Sequence, residues 1–433
     1  MSDVLVVGGG MAGALAALSA RRAGASVRLV RRALGATAMS SGAVDVAASP
    51  FAPGGDLAGQ AGDYLEAAAA IARVRPRHPY AVLKGQLSRL PEALAFLVAA
   101  LPELFDPPGR NNTLLLTPLG TVKPTALAQR SQLGGDLSTL EGPVVVAHLG
   151  VNPRFDATLV ARGLTAAAKA IGRELEIRAV EARPFRRVED ALRTPYELAQ
   201  DLDAPGRLEA LVEELGHALP PGTRTVLLPP LLGRSTPRLA ERLSQALNVR
   251  CFEVLSASPS VPGVRLQEAL DAALKAAQVE LLEMELTRTE DGTLMLAGAP
   301  AQAKTVVLAT GKFIGGGIRR EARFEETLFG LPVFVSGRDA GDAALGELLS
   351  ERITDDQAAF RAGVRIDASL RPVGADGRPL IPNLFAAGSV LEGYDPASDK
   401  TGLGVAAFTG FLAGEAAAEA AGSSAGPGGG ASR

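Results

Sequence analysis

Residues 8–13 read Gly-Gly-Gly-Met-Ala-Gly, a G-x-G-x-x-G set directly between an apolar run at 4–7 and a helix-forming stretch at 11–22. Each glycine has a separate duty in that setting. Gly8 permits the tight turn, Gly10 lets backbone approach a pyrophosphate, and Gly13 lets helix and strand pack closely. Met11 and Ala12 begin the helix, whose first N–H groups and positive dipole end suit a diphosphate. Gly24 ends the helix, and residues 27–30 (Val-Arg-Leu-Val) supply the next buried strand. The result is one βαβ unit, the opening of a three-layer, Rossmann-like α/β domain for FAD or NAD(P).

Composition narrows the partners. With 44 basic and 47 acidic residues the formal charge is −3, so there is no basic surplus to hold a nucleic-acid backbone or an anionic membrane. Cys251 is the only cysteine. It allows no internal disulfide, four-cysteine zinc site or self-contained iron–sulfur cluster, and it reads as a small core residue. No metal site is expected. Asp3 and the glycines at 8–10 interrupt anything like a signal peptide, and no run approaches the roughly 18 uncharged apolar residues of a membrane span. The expected location is cytoplasmic, with any inner-membrane contact made through a partner.

Beyond the βαβ unit the pattern changes. Residues 51–62, rich in Gly, Pro and Ala, read as a crossing loop. Helical stretches at 81–101, 156–171, 208–218 and 238–247 then alternate with short strands at 144–147 and 225–228. We read residues 1–77 as the first part of the FAD-binding domain and 78–254 as an inserted α+β substrate or cap domain. Residues 255–421 form the second part, with about 320–362 assignable to either domain. A helix at 267–277 and strands at 279–286 and 305–309 resume the dinucleotide pattern, and residues 422–433 form a disordered Gly/Ser/Ala tail.

Three further segments fit a flavin nucleotide. Ala309-Thr310-Gly311 closes an apolar strand where a second strand would pass the diphosphate, and a glycine loop follows at 312–317. Residues 381–389 (Ile-Pro-Asn-Leu-Phe-Ala-Ala-Gly-Ser) form a short strand ending at Gly388, with Ser389 where such folds place an acid for the ribityl chain; Glu392 lies one turn on. Gly402, Leu403, Gly404 and Val405 start a helix whose N–H groups would face the flavin N1/O2 edge. At the end of the second strand, where an acid normally meets the ribose, stand Arg31 and Arg32. Three readings stay open: a ribose held by other groups, a 2′-phosphate held by the arginines, or plain surface arginines.

Taken together these residues resemble the family of the B subunit of anaerobic glycerol-3-phosphate dehydrogenase, over nearly the whole chain. Segments at 40–45, 78–80, 117–121, 259–266, 329–334 and 383–395 carry the likeness. The resemblance implies a flavoprotein of the glutathione-reductase/fumarate-reductase class. It would work beside a catalytic flavoprotein subunit and an iron–sulfur membrane-anchor subunit, in oxidation of glycerol 3-phosphate to dihydroxyacetone phosphate with electrons passing toward quinone. The family is often assigned FMN, whereas the complete βαβ fingerprint argues for FAD, since FMN would leave the adenosine diphosphate site empty. Lys400-Thr401 depart from the glycine-rich stretch expected there. Ser40, Ser41 and Gly42 are placed near the diphosphate or the flavin. For the substrate side, the candidates are His78, His148 and Arg265: a base for the alcohol proton and a cation for the phosphate. The rival readings are a stand-alone flavoprotein dehydrogenase for another small substrate and a non-catalytic scaffold of the same fold.

Overall fold

The computed structural model describes residues 2–48, 56–150, 155–185, 188–236, 238–341, 343–352 and 355–422. In chain order the principal elements are β1 (Ser2–Val7), α1 (Met11–Arg22), β2 (Val27–Arg31), α2 (Leu90–Ala100), β3 (Val144–Leu149), α3 (Ala157–Ala170), β4 (Ile177–Ala182), α4 (Arg207–Ala218), β5 (Thr225–Leu228) and α5 (Leu239–Leu247). They continue with β6 (Arg250–Glu253), α6 (Val261–Ala276), β7 (Glu280–Glu283), β8 (Ala303–Leu308), β9 (Leu384–Ala386) and α7 (Gly402–Ala420). The chain forms two compact units.

The first unit is drawn from Met1–Ala36, Ala68–Ala100 and Ala269–Arg433, as far as these are described. Its centre is a five-stranded sheet in the order β9-β8-β1-β2-β7, parallel throughout. Val4, Leu5 and Val6 of β1 have no exposed surface, as expected of a central parallel strand covered on both faces. α1 contains no β-branched residue and carries Arg21 and Arg22 in its last turn, both favourable for a helix. It crosses α7 closely: a Cβ at Gly410 or Gly414 would lie 2.2 Å from the carbonyl oxygen of Ala12 or Ala16. Ser19 Oγ locks the crossing by donating to Phe411 O at 2.8 Å. Leu5, Val7 and Val30 of the sheet pack with Leu296 of a three-stranded antiparallel meander spanning 286–300, which gives the third layer.

The second unit comprises Thr37–Ala67 and Leu101–Glu268, as far as described. It has its own four-stranded sheet, β4-β3-β5-β6, again parallel. Cores lie on each side, one holding Leu198, Leu211, Leu215 and Leu243 and the other Val160 and Leu164. Cys251, on β6, is buried, and burial raises its thiol to about 12, so it is a core residue without thiolate chemistry at neutral pH.

These unit boundaries differ from those read off the sequence. Residues 78–100 belong with the nucleotide-type unit because α2 packs on α7, with Phe96 and Phe411 ring centroids 5.3 Å apart. The expected single helix over 81–101 is divided into short turns before α2. Residues 37–67 belong with the second unit, where Asn112 Nδ2 donates to Ala47 O at 2.8 Å. Of the expected crossing loop at 51–62, residues 51–55 lie outside the described residues, while Leu57–Gln60 form a helical turn capped by the Asp56 side chain; of the tail, residues 423–433 lie outside the described residues.

Candidate functional site

The cradle forms at the carboxyl ends of the parallel strands of the first unit, where open α/β sheets place their ligands. Gly8 leaves β1 at φ +116°, and a Cβ there would stand 2.1 Å from Ala309 O at the end of β8. Only glycine fits such a position. Gly10 is the N-cap of α1 and has no side-chain cap. A Cβ at Gly13 would fall 1.8 Å from Gly8 O, so the third glycine permits the helix to seat on the turn. Gly388, at φ +78°, lies against Ala12 and Ala406: a Cβ added there would be 2.6 Å from one Cβ and 4.0 Å from the other. Its N–H donates to Thr409 Oγ1 at 2.8 Å, which ties the end of β9 to α7. A Cβ at Gly311 would lie 3.5 Å from Ser389 Oγ. The ends of β1, β8 and β9 and the first turns of α1 and α7 thus converge, bringing Gly8, Gly10, Met11, Ala12, Gly13, Ala309, Thr310, Gly311, Gly388, Ser389, Gly402, Leu403, Gly404 and Val405 to one end of one sheet.

Two buried hydroxyls at this end have no partner among the described residues, Thr310 Oγ1 after β8 and Thr401 Oγ1 at the head of α7. Unpaired buried hydroxyls are costly, and a cofactor rich in phosphate and hydroxyl oxygens would satisfy them. Backbone with room for a diphosphate and polar groups awaiting partners fit a flavin nucleotide. Lys400 takes φ +53° in front of α7, the left-handed conformation that a glycine would have supplied.

Other sequence candidates have other partners. The Arg31 guanidinium is bidentate to Asp271 at 2.7 and 2.8 Å and also meets Glu283 Oε1 at 2.5 Å, and its stem fills the space above Gly9, whose Cβ would lie 2.5 Å from Arg31 Cδ. It is neither an open 2′-phosphate ligand nor a plain surface arginine. Arg32 is exposed, with a side chain 73% accessible. Arg31→Ala should leave NADP and NAD binding equally weak and lower FAD affinity by no more than about fivefold, roughly 1 kcal/mol; titration of flavin-free protein with each nucleotide checks this. Glu392 is also committed: its carboxylate accepts from Gly337 N at 2.7 Å and from Arg365 Nε at 3.1 Å.

Ser40, Ser41 and Gly42 lie in the second unit. There Gln129 Nε2 donates to Gly42 O at 3.1 Å and Gln132 Nε2 to Ser41 O at 3.1 Å, while Ser40 Oγ accepts from Gly42 N at 3.3 Å. Arg265 is buried in the same unit. It donates to Glu253, Gln129 Oε1, Ser131 Oγ and the carbonyls of Leu232 and Gly233, which is the environment of a structural ion pair rather than of a phosphate ligand. His148 Nδ1 is 2.7 Å from Phe155 O, and the residue lines an open hollow of about 440 Å³ with Asp156 and Glu181.

His78, in the first unit, caps a short helical turn, its Nδ1 accepting from Tyr80 N at 3.1 Å. The ring proton is therefore on Nε2, which lies 4.0 Å from Asp399 Oδ2 and makes no hydrogen bond among the described residues. Burial, with Arg75 and Arg361 nearby, holds its pKa down to about 3, so it is neutral and sealed. The folded protein resists a proton that the unfolded chain accepts near 6.5; stability is therefore lost as pH falls from about 6.5 toward 3, by about 1.4 kcal/mol per pH unit. His78→Asn keeps a capping acceptor and should flatten the slope by that amount between pH 6 and 4 in urea unfolding.

Beside the cradle lies a buried charged cluster that the sequence motifs do not reveal, in residues 75–78, 312, 361 and 394–399. Asp399 is paired with Arg75, lies 3.9 Å from Arg361 and accepts from Asp395 N; burial raises its pKa against the pull of those cations. Tyr394 stacks edge-on to His78, centroids 5.5 Å apart. The one local signal for the cluster is the density of charge in Tyr394-Asp-Pro-Ala-Ser-Asp-Lys400, just ahead of α7.

The FAD binding domain family matches residues 3–405. The probable B subunit of anaerobic glycerol-3-phosphate dehydrogenase from Halobacterium salinarum is 33% identical over 441 residues, covering 96% of this chain and 98% of the relative. This chain belongs to that B-subunit family. The Vibrio cholerae member is 29% identical over 431 residues, covering 95% of each chain. Among solved structures, the 3-ketosteroid Δ1-dehydrogenase of Sterolibacterium denitrificans is 14% identical with a TM-score of 0.38, covering 96% of this chain and 99% of the other. A variant of E. coli quinol fumarate reductase FrdA is 12% identical with a TM-score of 0.39, covering 99% and 71%. As a member of the FAD-binding and B-subunit families the chain is a flavin oxidoreductase, and its cofactor is FAD. No helix among the described residues is long and apolar enough to cross a membrane.

Proposed function

We propose that this B-subunit homologue carries FAD within a glycerol-3-phosphate dehydrogenase complex, in which glycerol 3-phosphate is oxidised to dihydroxyacetone phosphate and electrons pass toward quinone. The observation that carries the reading is likeness to the Halobacterium B subunit along 96% of the chain, coupled to the strand-end cradle. When bound, FAD would supply two-electron redox chemistry. The residues of this chain would hold its diphosphate on the Gly8–Gly13 turn and α1, accept hydroxyl contacts at Thr310 and Thr401, and aim the first turn of α7 at the ring edge where charge develops.

Within that complex a relay role is favoured over direct substrate oxidation. His78 is buried and burial lowers its basicity, and Arg265 is committed to Glu253, which argues against a substrate base at the one and a phosphate ligand at the other. With a single cysteine the chain cannot hold its own cluster, and a partner flavoprotein and an iron–sulfur membrane-anchor subunit would complete the path. Purified chain should reduce soluble dyes far better than quinone, and glycerol 3-phosphate should bleach its flavin only when the partner subunits are added. Efficient quinone reduction by the chain alone, or bleaching by another substrate and not by glycerol 3-phosphate, overturns the proposal.

A further inference from the structure

We infer that Lys312 is the proton-accepting residue of the FAD site, its amine taking up a proton when the cofactor is reduced. The inference rests on the FAD assignment and is independent of the substrate.

Lys312 is the residue after Gly311, where the chain leaves β8 at the cradle, and its side chain turns inward to 8% exposure. Nζ donates to Phe360 O at 2.6 Å and to Tyr394 O at 3.2 Å, and stands 5.3 Å from the Tyr394 ring centroid. Among the described residues it has no carboxylate ion-pair partner. A neutral amine has two N–H donors, which these two carbonyls satisfy; an ammonium has a third, for which the described residues supply no acceptor. Buried lysines without a counter-ion shed their proton.

The surroundings keep this amine near balance rather than permanently neutral. Burial lowers its pKa to about 7, with Asp395, Asp399 and Glu392 pulling it up and Arg361 pushing it down. Elsewhere in the cluster Arg75 is paired with Asp399, His78 is neutral, and burial keeps the phenols of Tyr80 and Tyr394 protonated. Lys312, a buried amine held by two carbonyls, is thus a group in the cluster whose charge can change near neutral pH. A unit negative charge arriving within about 8 Å shifts such a group upward by on the order of one to two pH units at an effective dielectric of about 20.

The balance is two electrons and two protons. The reductant delivers two electrons to the flavin, one proton is taken up by the flavin to leave a singly negative reduced ring, and one proton from solvent converts the Lys312 amine to ammonium. With Lys312 removed, only the flavin proton remains.

Spectroelectrochemical titration of the FAD-loaded protein from pH 7.5 to 9 tests this, with dithionite-reduced samples as end points. In the wild type, the midpoint potential should fall at close to the two-proton slope at the lower end of this range and relax to the one-proton slope as pH passes the raised pKa of the amine; in Lys312→Met the one-proton slope should hold throughout. Lys312→Arg keeps a cation that cannot release its proton and should also give the one-proton slope, so it serves if the methionine variant loses FAD. Proton uptake on reduction at pH 8, followed with an indicator in weak buffer, should approach two per two electrons in the wild type. Equal slopes in wild type and both variants, or an uptake of one proton, overturn the inference.

Discussion

Gly10→Val should yield protein that folds and is colourless. The N-cap backbone at φ −79°, ψ −172° is open to any residue, so the substitution adds no backbone strain, but its branched side chain occupies the space through which a diphosphate meets the head of α1. FAD affinity should fall at least about 100-fold, roughly 2.7 kcal/mol, while flavin-free variant and wild type unfold within a few degrees of one another. Gly8→Ala is the contrast. Its Cβ would lie 2.1 Å from Ala309 O at a φ of +116°, so the strand end itself must move and stability should fall with flavin binding. Calorimetric titration with FAD beside thermal unfolding separates the two, and full flavin retention by Gly10→Val would place the cofactor elsewhere.

Arg265→Met should unfold the second unit far more easily, by about 3–5 kcal/mol. The cost comes less from the hydrogen bonds removed with the guanidinium than from the carboxylate left behind: Glu253 has no exposed side-chain surface, and its ion pair with Arg265 at 3.1 Å compensates its burial. Adding Glu253→Gln removes the orphaned charge, keeps an acceptor for Leu232 N, now 2.6 Å from Glu253 Oε1, and should recover much of the loss. Urea unfolding of the single and double variants measures the coupling. An unchanged midpoint in Arg265→Met together with a raised KM for a phosphorylated substrate would return Arg265 to the substrate side.

Local pattern reaches a limit at buried charge. Arg31 and Arg32 are adjacent and alike in sequence, yet one is sealed between Asp271 and Glu283 and the other is exposed. Nothing in residues 27–32 contains that difference, because the partners arrive from about 240 residues away. The same holds for Lys312, which reads as part of a mobile glycine loop and is held by carbonyls of residues 360 and 394, and for His78, whose candidacy as a base fails on burial rather than on residue type.

The cradle, by contrast, is written into short stretches of chain. A buried strand, three glycines at fixed offsets and a following helix impose the βαβ turn whatever surrounds them, because backbone sterics and the free N–H groups of a helix start are local properties. The later strand ends at Ala309–Gly311 and Gly388–Ser389 are legible for the same reason. Which polar residues have counter-ions, and which of the two units each segment joins, was settled by packing. Packing carried residues 78–100 to the nucleotide-type unit, ordered β4-β3-β5-β6 as a second parallel sheet, and closed Asp399 against Arg75 and Lys312 against two carbonyls. Those outcomes depend on desolvation and on pairings between distant segments, and neither exists until the chain has folded.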